Sequence, residues 1–162
     1  MQDNDSIRPG EAAAPLPATA DAGVYFIGRI RTPWPARESC PRRGDPSGPE
    51  CRIEVDPRWA DALQGLSEHK RLQILYWMHL ARRDLVLQTP RHSGQAMGTF
   101  ALRSPVRPNP IASSIVDLIA VAGTTMTVRG LDCMDGTPLI DVKPVHEEAW
   151  PGTPAIDYCT FV

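Results

Sequence analysis

The chain has no Cys-x-x-Cys pair, no glycine-rich phosphate loop and no long apolar run, and each gap removes a class of function. Cys40, Cys51, Cys133 and Cys159 are scattered, and His69, His79, His92 and His146 fall at no ligand spacing. A zinc site is therefore not expected. No G-x-G-x-x-G follows a predicted strand, no P-loop is present, and no G-x-S-x-G elbow offers a nucleophile, so dinucleotide, triphosphate and hydrolase signatures are all missing. No stretch nears the ~20 apolar residues of a membrane helix, and the N-terminus lacks the basic start and apolar run of a secretory signal. Four dispersed thiols without such a signal point to a reducing cytoplasm and no membrane partner.

Lysine is nearly absent: 15 of the 17 basic residues are arginine. Guanidinium groups suit bidentate contacts to phosphate and carboxylate, although codon composition would produce the same bias. The net charge of −2 gives no general attraction to nucleic acid, but its distribution is uneven. Residues 80–110 carry Arg82, Arg83, Arg91, Arg103 and Arg107 against Asp84 alone, whereas residues 132–162 hold six acids against Lys143. Arginines kept together by the fold would make a basic face.

What is abundant is proline, at 17 residues in 162, well above the usual share of about 5%. Residues 1–22 show no periodicity and are expected to be disordered. Residues 23–145 are expected to form the folded domain, and residues 146–162 a Pro-rich acidic tail. Strands are predicted over residues 24–31, 51–55, 72–78, 84–88, 96–102, 111–121, 124–129 and 139–143, with an Asp135-Gly136 turn between the last two. The run at 72–78 is almost continuously apolar and reads as a strand buried on both faces, with a helix as the alternative. Asp56 followed by Pro57 is the one good helix start, with Trp59, Leu63 and Leu66 on one face. A long Pro/Gly/Arg loop fills residues 32–50, a length typical of functional loops. Short, regularly spaced strands with one helix indicate a mainly β protein, a barrel or a sandwich.

The most informative stretch is Arg103-Ser104-Pro105-Val106-Arg107-Pro108-Asn109-Pro110-Ile111. Three prolines fix φ and remove three backbone donors, and each residue before a proline is driven to extended geometry. A stiff loop between two strands, carrying two guanidiniums and an amide, pre-positions donors for an anionic or polar ligand. Plainer roles exist for the same residues. The arginines could pair with Asp117 or Asp141, Pro105–Pro108 fits a PxxP ligand pattern, and Asp135 could be only a turn former. His79 could be an interior histidine, and Arg42 and Arg43 solvated loop charges.

Four segments together resemble the TsaA-like family, the TrmO-type tRNA methyltransferases. They are Ile27-Gly28-Arg29-Ile30-Arg31-Thr32-Pro33, Pro41-Arg42-Arg43, residues 98–111 around the proline loop, and residues 131–144, which include Asp135-Gly136-Thr137-Pro138 and Asp141-Val142-Lys143-Pro144. The resemblance spans about residues 24–145. It implies a small closed antiparallel β-barrel with one or two short helices, acting as a homodimer on tRNA, with S-adenosyl-L-methionine as cofactor and N6 of threonylcarbamoyladenosine as acceptor. Carried over by position, it implies cofactor contacts from Pro41, Arg42, Arg43, His79, Leu80, Arg103, Ser113, Gly130, Leu131 and Asp132. Arg107 and Asn109 would orient the modified base, Asp135 or His79 would accept a proton, Arg82, Arg83 and Arg91 would meet phosphates, and Trp34 would offer a stacking platform. The chain departs from the family pattern at Arg43, where glutamine is usual, and at Ala112-Ser113-Ser114. Two other functions are carried: methylation of a small metabolite, and a non-catalytic adenosyl-ligand-binding module.

Overall fold

In the computed structural model, which describes residues 7–90 and 94–145, the apolar alternation of the strands closes into a barrel. Strands are β1 (Ala12–Ala13), β2 (Gly28–Arg31), β3 (Cys51–Val55), β4 (Arg71–Trp77), β5 (Leu85–Gln88), β6 (Met97–Gly98), β7 (Ile111–Ala122), β8 (Thr125–Arg129) and β9 (Pro138–Pro144). The barrel order is β2-β3-β8-β7-β4-β9, with β9 pairing back to β2. Of the two architectures open to the sequence, the closed barrel is the one formed, and it leaves no free sheet edge. Inward positions recur every second residue. Ile30, Ile53, Leu72, Ile74, Val116, Met126, Val128 and Leu139 are all at most 1% exposed and fill the interior.

Contacts divide the chain into two compact units. One is the barrel, residues 24–77 with 113–145; the other joins residues 7–23 to 78–112. The second unit holds a three-stranded sheet, β1-β5-β6. Ala12 and Ala13, expected outside the fold, pair with Leu87 and Leu85, and Arg8 pairs with Glu11 at 2.5 Å. A buried Gln88 spans this unit. Its amide donates to Thr99 Oγ1 at 2.8 Å and to the Val106 carbonyl at 2.6 Å, while the Thr99 hydroxyl donates to the Leu85 carbonyl at 2.7 Å. The proline loop is thus tied to a strand through its backbone. An apolar cavity of about 150 Å³ lies beside these tethers, lined by Leu85, Val86, Thr99, Phe100 and Pro108 among others.

Three expectations are corrected. The strand at 71–77 is not buried on both faces: Leu72, Ile74 and Tyr76 face the core while Gln73, Leu75 and Trp77 are half-buried. The predicted strand over 96–102 is only Met97–Gly98, followed by a 3₁₀ turn at Thr99–Ala101. The helix after Asp56 forms with Asp56 accepting from the Arg58 amide, but as a 3₁₀ helix over Pro57–Leu63. The Gln64 amide bonds back to Asp61 and Gly65 adopts a left-handed φ of 80°, which stops it short. No helix among the described residues is long and apolar enough to cross a membrane.

Candidate functional site

The barrel unit brings two predicted segments together. The loop at 32–50 is anchored at its start, where the Thr32 hydroxyl donates to the Cys133 carbonyl at 2.9 Å, and near its end, where Arg129 Nη2 bonds Glu50 at 2.8 Å. Between these anchors Gly44 packs on the backbone of Gly130; a Cβ at position 44 would collide with the Gly130 carbonyl oxygen. Gly130 itself has φ +105°, a conformation that favours glycine. Pro41, Arg42 and Arg43 therefore stand close in sequence to a contact with Gly130, Leu131 and Asp132. Cys40, in the same loop, lies near enough to Asp132 for the carboxylate's charge to help raise its thiol pKa, after burial. Arg42 and Arg43 are exposed. Leu131 is 1% exposed, so that residue offers a ligand its backbone and not its side chain.

Asp132 stands in a network that sequence reasoning missed. Tyr76, 3% exposed on β4, donates to Asp132 Oδ1 at 2.7 Å. Its oxygen also lies 2.9 Å from Ser114 Oγ, and Ser114 Oγ is 3.4 Å from Asp132 Oδ1. Burial first, and the Asp132 charge second, push the Tyr76 phenol well above the usual tyrosine range, so it remains a proton donor. Buried tyrosine hydroxyls find partners, and a tyrosine on the inward side of an apolar strand was the available signal.

Ser113 does not join this cluster. Adjacent strand residues face opposite ways, and Ser113 instead accepts from Gln73 Nε2 at 2.9 Å, on the half-buried side of β4. Asp135 is exposed, and both its oxygens are engaged: Oδ1 accepts from the Thr32 amide at 3.1 Å, and Oδ2 is 3.7 Å from Arg31 Nη1. Its own amide bonds the Trp34 carbonyl at 2.8 Å. That geometry is what a turn former has. Trp34 is half-buried.

The remaining sequence-predicted residues belong to the second unit. Arg103 is exposed, with no hydrogen bond among the described residues, and Asn109 is likewise exposed. Arg107 is half-buried, its Nη1 donating to the Ser104 carbonyl at 3.3 Å. Neither arginine lines the apolar cavity, which takes only Pro108 from this loop. His79 and Leu80 are exposed, so His79 is not the interior histidine of the plainer reading. Arg82 grips Asp84 through two bonds at 2.7 and 2.8 Å. Arg83 Nε donates to the Pro108 carbonyl at 2.6 Å. Arg91 lies outside the described residues.

Comparison with known proteins follows the same outline. The family model described as the tRNA-methyltransferase O N-terminal domain matches residues 29–149. The chain is 49% identical over 148 residues to the "Probable S-adenosyl-L-methionine-binding protein VirR" of Rhizobium radiobacter, covering 91% of this chain and 85% of the relative. It is 35% identical over 129 residues to the tRNA (adenine(37)-N6)-methyltransferase of Escherichia coli, covering 73% of this chain but 55% of that enzyme. The crystal structure of TrmO from Pseudomonas aeruginosa superposes with a TM-score of 0.67 at 29% identity, over 85% of this chain and 60% of that one. The chain thus spans well under two thirds of both the E. coli enzyme and that solved structure. With a matched segment that takes in most of the described barrel, the chain belongs to the tRNA-methyltransferase O N-terminal domain family.

Proposed function

We propose that the chain binds S-adenosyl-L-methionine and transfers its methyl group to tRNA, at N6 of a threonylcarbamoyladenosine in the anticodon loop. The observation that carries this reading is the family match across residues 29–149, together with a relative named as a tRNA (adenine(37)-N6)-methyltransferase. The residues present fit the cofactor. Asp132 has one oxygen held by Tyr76 and the other without a hydrogen bond among the described residues. The Gly44–Gly130 contact brings a basic loop against the same segment.

When bound, S-adenosylmethionine supplies an electrophilic methyl on a sulfonium, which departs as a thioether once the N–C bond forms. Pro41, Arg42, Arg43, Gly130, Leu131 and Asp132 would hold it, with His79, Leu80, Arg103 and Ser113 as further contacts implied by position. Alignment of nucleophile and methyl contributes most to such a transfer, so rigid residues matter more than strong acids or bases. Arg107, fixed to the Ser104 carbonyl, and Asn109 on the same stiff loop would orient the base. The acceptor nitrogen is weakly basic and must lose a proton. Asp135 is poorly placed to take it, since both its oxygens are already engaged; exposed His79 is the better candidate.

Arg82, Arg83 and Arg91 would meet tRNA phosphates, with Arg82 already carrying Asp84 as a counter-ion. A homodimer belongs to the same reading. Leu80 at 61% and Phe100 at 82% exposed, with Val86, Leu87 and Met97, are apolar surface that a second copy would cover.

Methyl transfer to tRNA purified from a strain lacking the enzyme tests the reading. Incorporation at adenosine 37, lost with Arg103→Ala, is expected. Calorimetric donor binding without transfer to any RNA would instead favour a small-metabolite methyltransferase or a non-catalytic binding module.

A further inference from the structure

We propose that Tyr76 is a positioning residue of the cofactor site: backed by Ser114, it holds Asp132 by Oδ1 so that Oδ2 is left to accept a hydrogen bond from the adenosyl ligand. The inference rests on the reading of Gly130–Asp132 as part of the S-adenosylmethionine site.

Proton accounting fixes the direction of the chain. A carboxylate only accepts, and a phenol has one proton. Tyr76 spends that proton on Asp132 Oδ1 at 2.7 Å. Of the pair 2.9 Å apart, Ser114 must then be the donor to the tyrosine oxygen. Ser114, Tyr76 and Asp132 form a one-way relay from β7 through β4 to the segment after β8. Every proton in it points toward the carboxylate, and the Tyr76 proton is the one that meets Oδ1.

Two features make this an arrangement for aiming and not only for burial. Tyr76 sits where the β4–β9 ladder breaks register: Leu75 pairs with Asp141, and Tyr76 with Leu139, skipping Ile140. Bulges of this kind re-aim side chains. In addition, Oδ2 has no hydrogen-bond partner among the described residues, and it is not sealed away from water. Asp132 is half-buried, so that oxygen reaches solvent. Ser114, next to a position implied by family resemblance, joins the site as the far end of the relay.

The test is calorimetric titration of the full chain with S-adenosylhomocysteine, alongside urea unfolding of the ligand-free protein. Tyr76→Phe keeps the ring and removes the hydroxyl. It should weaken binding about tenfold, and Asp132→Asn about thirtyfold, in line with loss of a hydrogen bond to a charged group. Because Tyr76 acts through Asp132, the double variant should bind within about twofold of Asp132→Asn alone, where independent sites would multiply. The same non-additivity should appear in the ligand-free unfolding curves. Tyr76→Phe binding within twofold of the parent, while Asp132→Asn weakens, sinks this inference and leaves the cofactor reading standing. Multiplying effects in the double variant sink it as well. Failure of the unsubstituted protein to bind any adenosyl ligand sinks both. Should Tyr76→Phe not fold, Ser114→Ala removes the far end of the relay and is expected to cost about threefold by the same loss of a hydrogen bond; unchanged affinity there overturns the proposal.

Discussion

The wall of the barrel around Asp132 and the proline loop at 103–110 each hold polar side chains in place, by opposite means. Around Asp132 the constraint is mutual. Tyr76, Ser114 and the carboxylate satisfy one another inside a packed strand pair, and removing one leaves the others short. In the loop the constraint is on the backbone. Prolines limit φ, Ser104 Oγ accepts from the Val106 amide, and buried Gln88 takes the Val106 carbonyl, while the Arg103 side chain stays exposed. If Asp132 and Arg103 hold the cofactor as proposed, the first region would couple stability to ligand geometry and the second would keep them separate. An exposed guanidinium on a stiff loop can be changed at little cost to the fold.

That contrast is broken most directly by two truncations. Ile74→Ala, on the barrel's inward side at 0% exposed, should cost about 2–5 kcal/mol by leaving a cavity. Arg103→Ala should leave unfolding within about 0.5 kcal/mol of the parent and yet abolish donor binding. Urea unfolding and calorimetry on both variants check the pair. An Arg103→Ala chain destabilised by more than 1 kcal/mol would show that the loop's cation supports the fold after all.

Gly44→Ala stands next in size. The new methyl meets the Gly130 carbonyl oxygen, a backbone atom that cannot swing aside. Overpacking of this sort costs about 1–3 kcal/mol, and the loop can relieve it only by moving away from the Gly130–Asp132 segment. Stability and donor affinity should therefore fall together, unlike in Arg103→Ala. Full affinity in a destabilised Gly44→Ala protein would separate the 32–50 loop from the cofactor site.

Much of this was legible in the sequence, and the illegible part has physical causes. Strand positions follow from alternation and turn residues, so 51–55, 84–88, 111–121 and 124–129 fall within a residue or so of the observed elements. The run at 72–78 misled because Trp77, Leu75 and Gln73 are half-covered on their own side, and composition cannot tell half-covered from buried. Nothing local distinguishes a closed barrel from a sandwich; closure depends on β9 returning to β2. Met97–Gly98 gives way to a 3₁₀ turn because Thr99 spends its hydroxyl on the Leu85 carbonyl, a long-range bond invisible to periodicity. On the site, family resemblance named Asp132 and Ser113 but neither Tyr76 nor Ser114, whose bonds to one another and to Asp132 join segments far apart in sequence.

A smaller effect sharpens the comparison within the second unit. Arg82 is held by the Asp84 carboxylate, while Arg83 Nε donates to the neutral Pro108 carbonyl. Each phosphate neutralised contributes about 0.9 to the salt slope on B-form DNA and about 0.7 on single strands such as an anticodon loop. Arg83→Ala should lower the slope of tRNA binding by about one such increment, and Arg82→Ala by clearly less, because Asp84 already balances that charge. Filter binding across a salt series measures both slopes, and equal losses would mean that the Arg82–Asp84 pair opens to meet RNA.

The least effect is expected from acid, and it isolates that pair. The two hydrogen bonds from Arg82 hold the Asp84 carboxyl below its ordinary range, outweighing the opposing influence of burial. A carboxyl depressed in the folded state stabilises the protein above its unfolded pKa, near 3.9, and that contribution disappears as pH falls through the lower folded value. The asparagine variant Asp84→Asn has nothing to protonate. Its unfolding free energy should decline less steeply than the parent's between about pH 5 and pH 2, and the gap should narrow with added salt because Asp84 is partly exposed. Depressed carboxyls at Glu11, Asp45 and Asp56 titrate in the same range, so only the difference between parent and variant reports on this pair. Identical slopes would place the Arg82–Asp84 bond among surface contacts that contribute nothing measurable, and would return Arg82 to the pool of cations available to a phosphate.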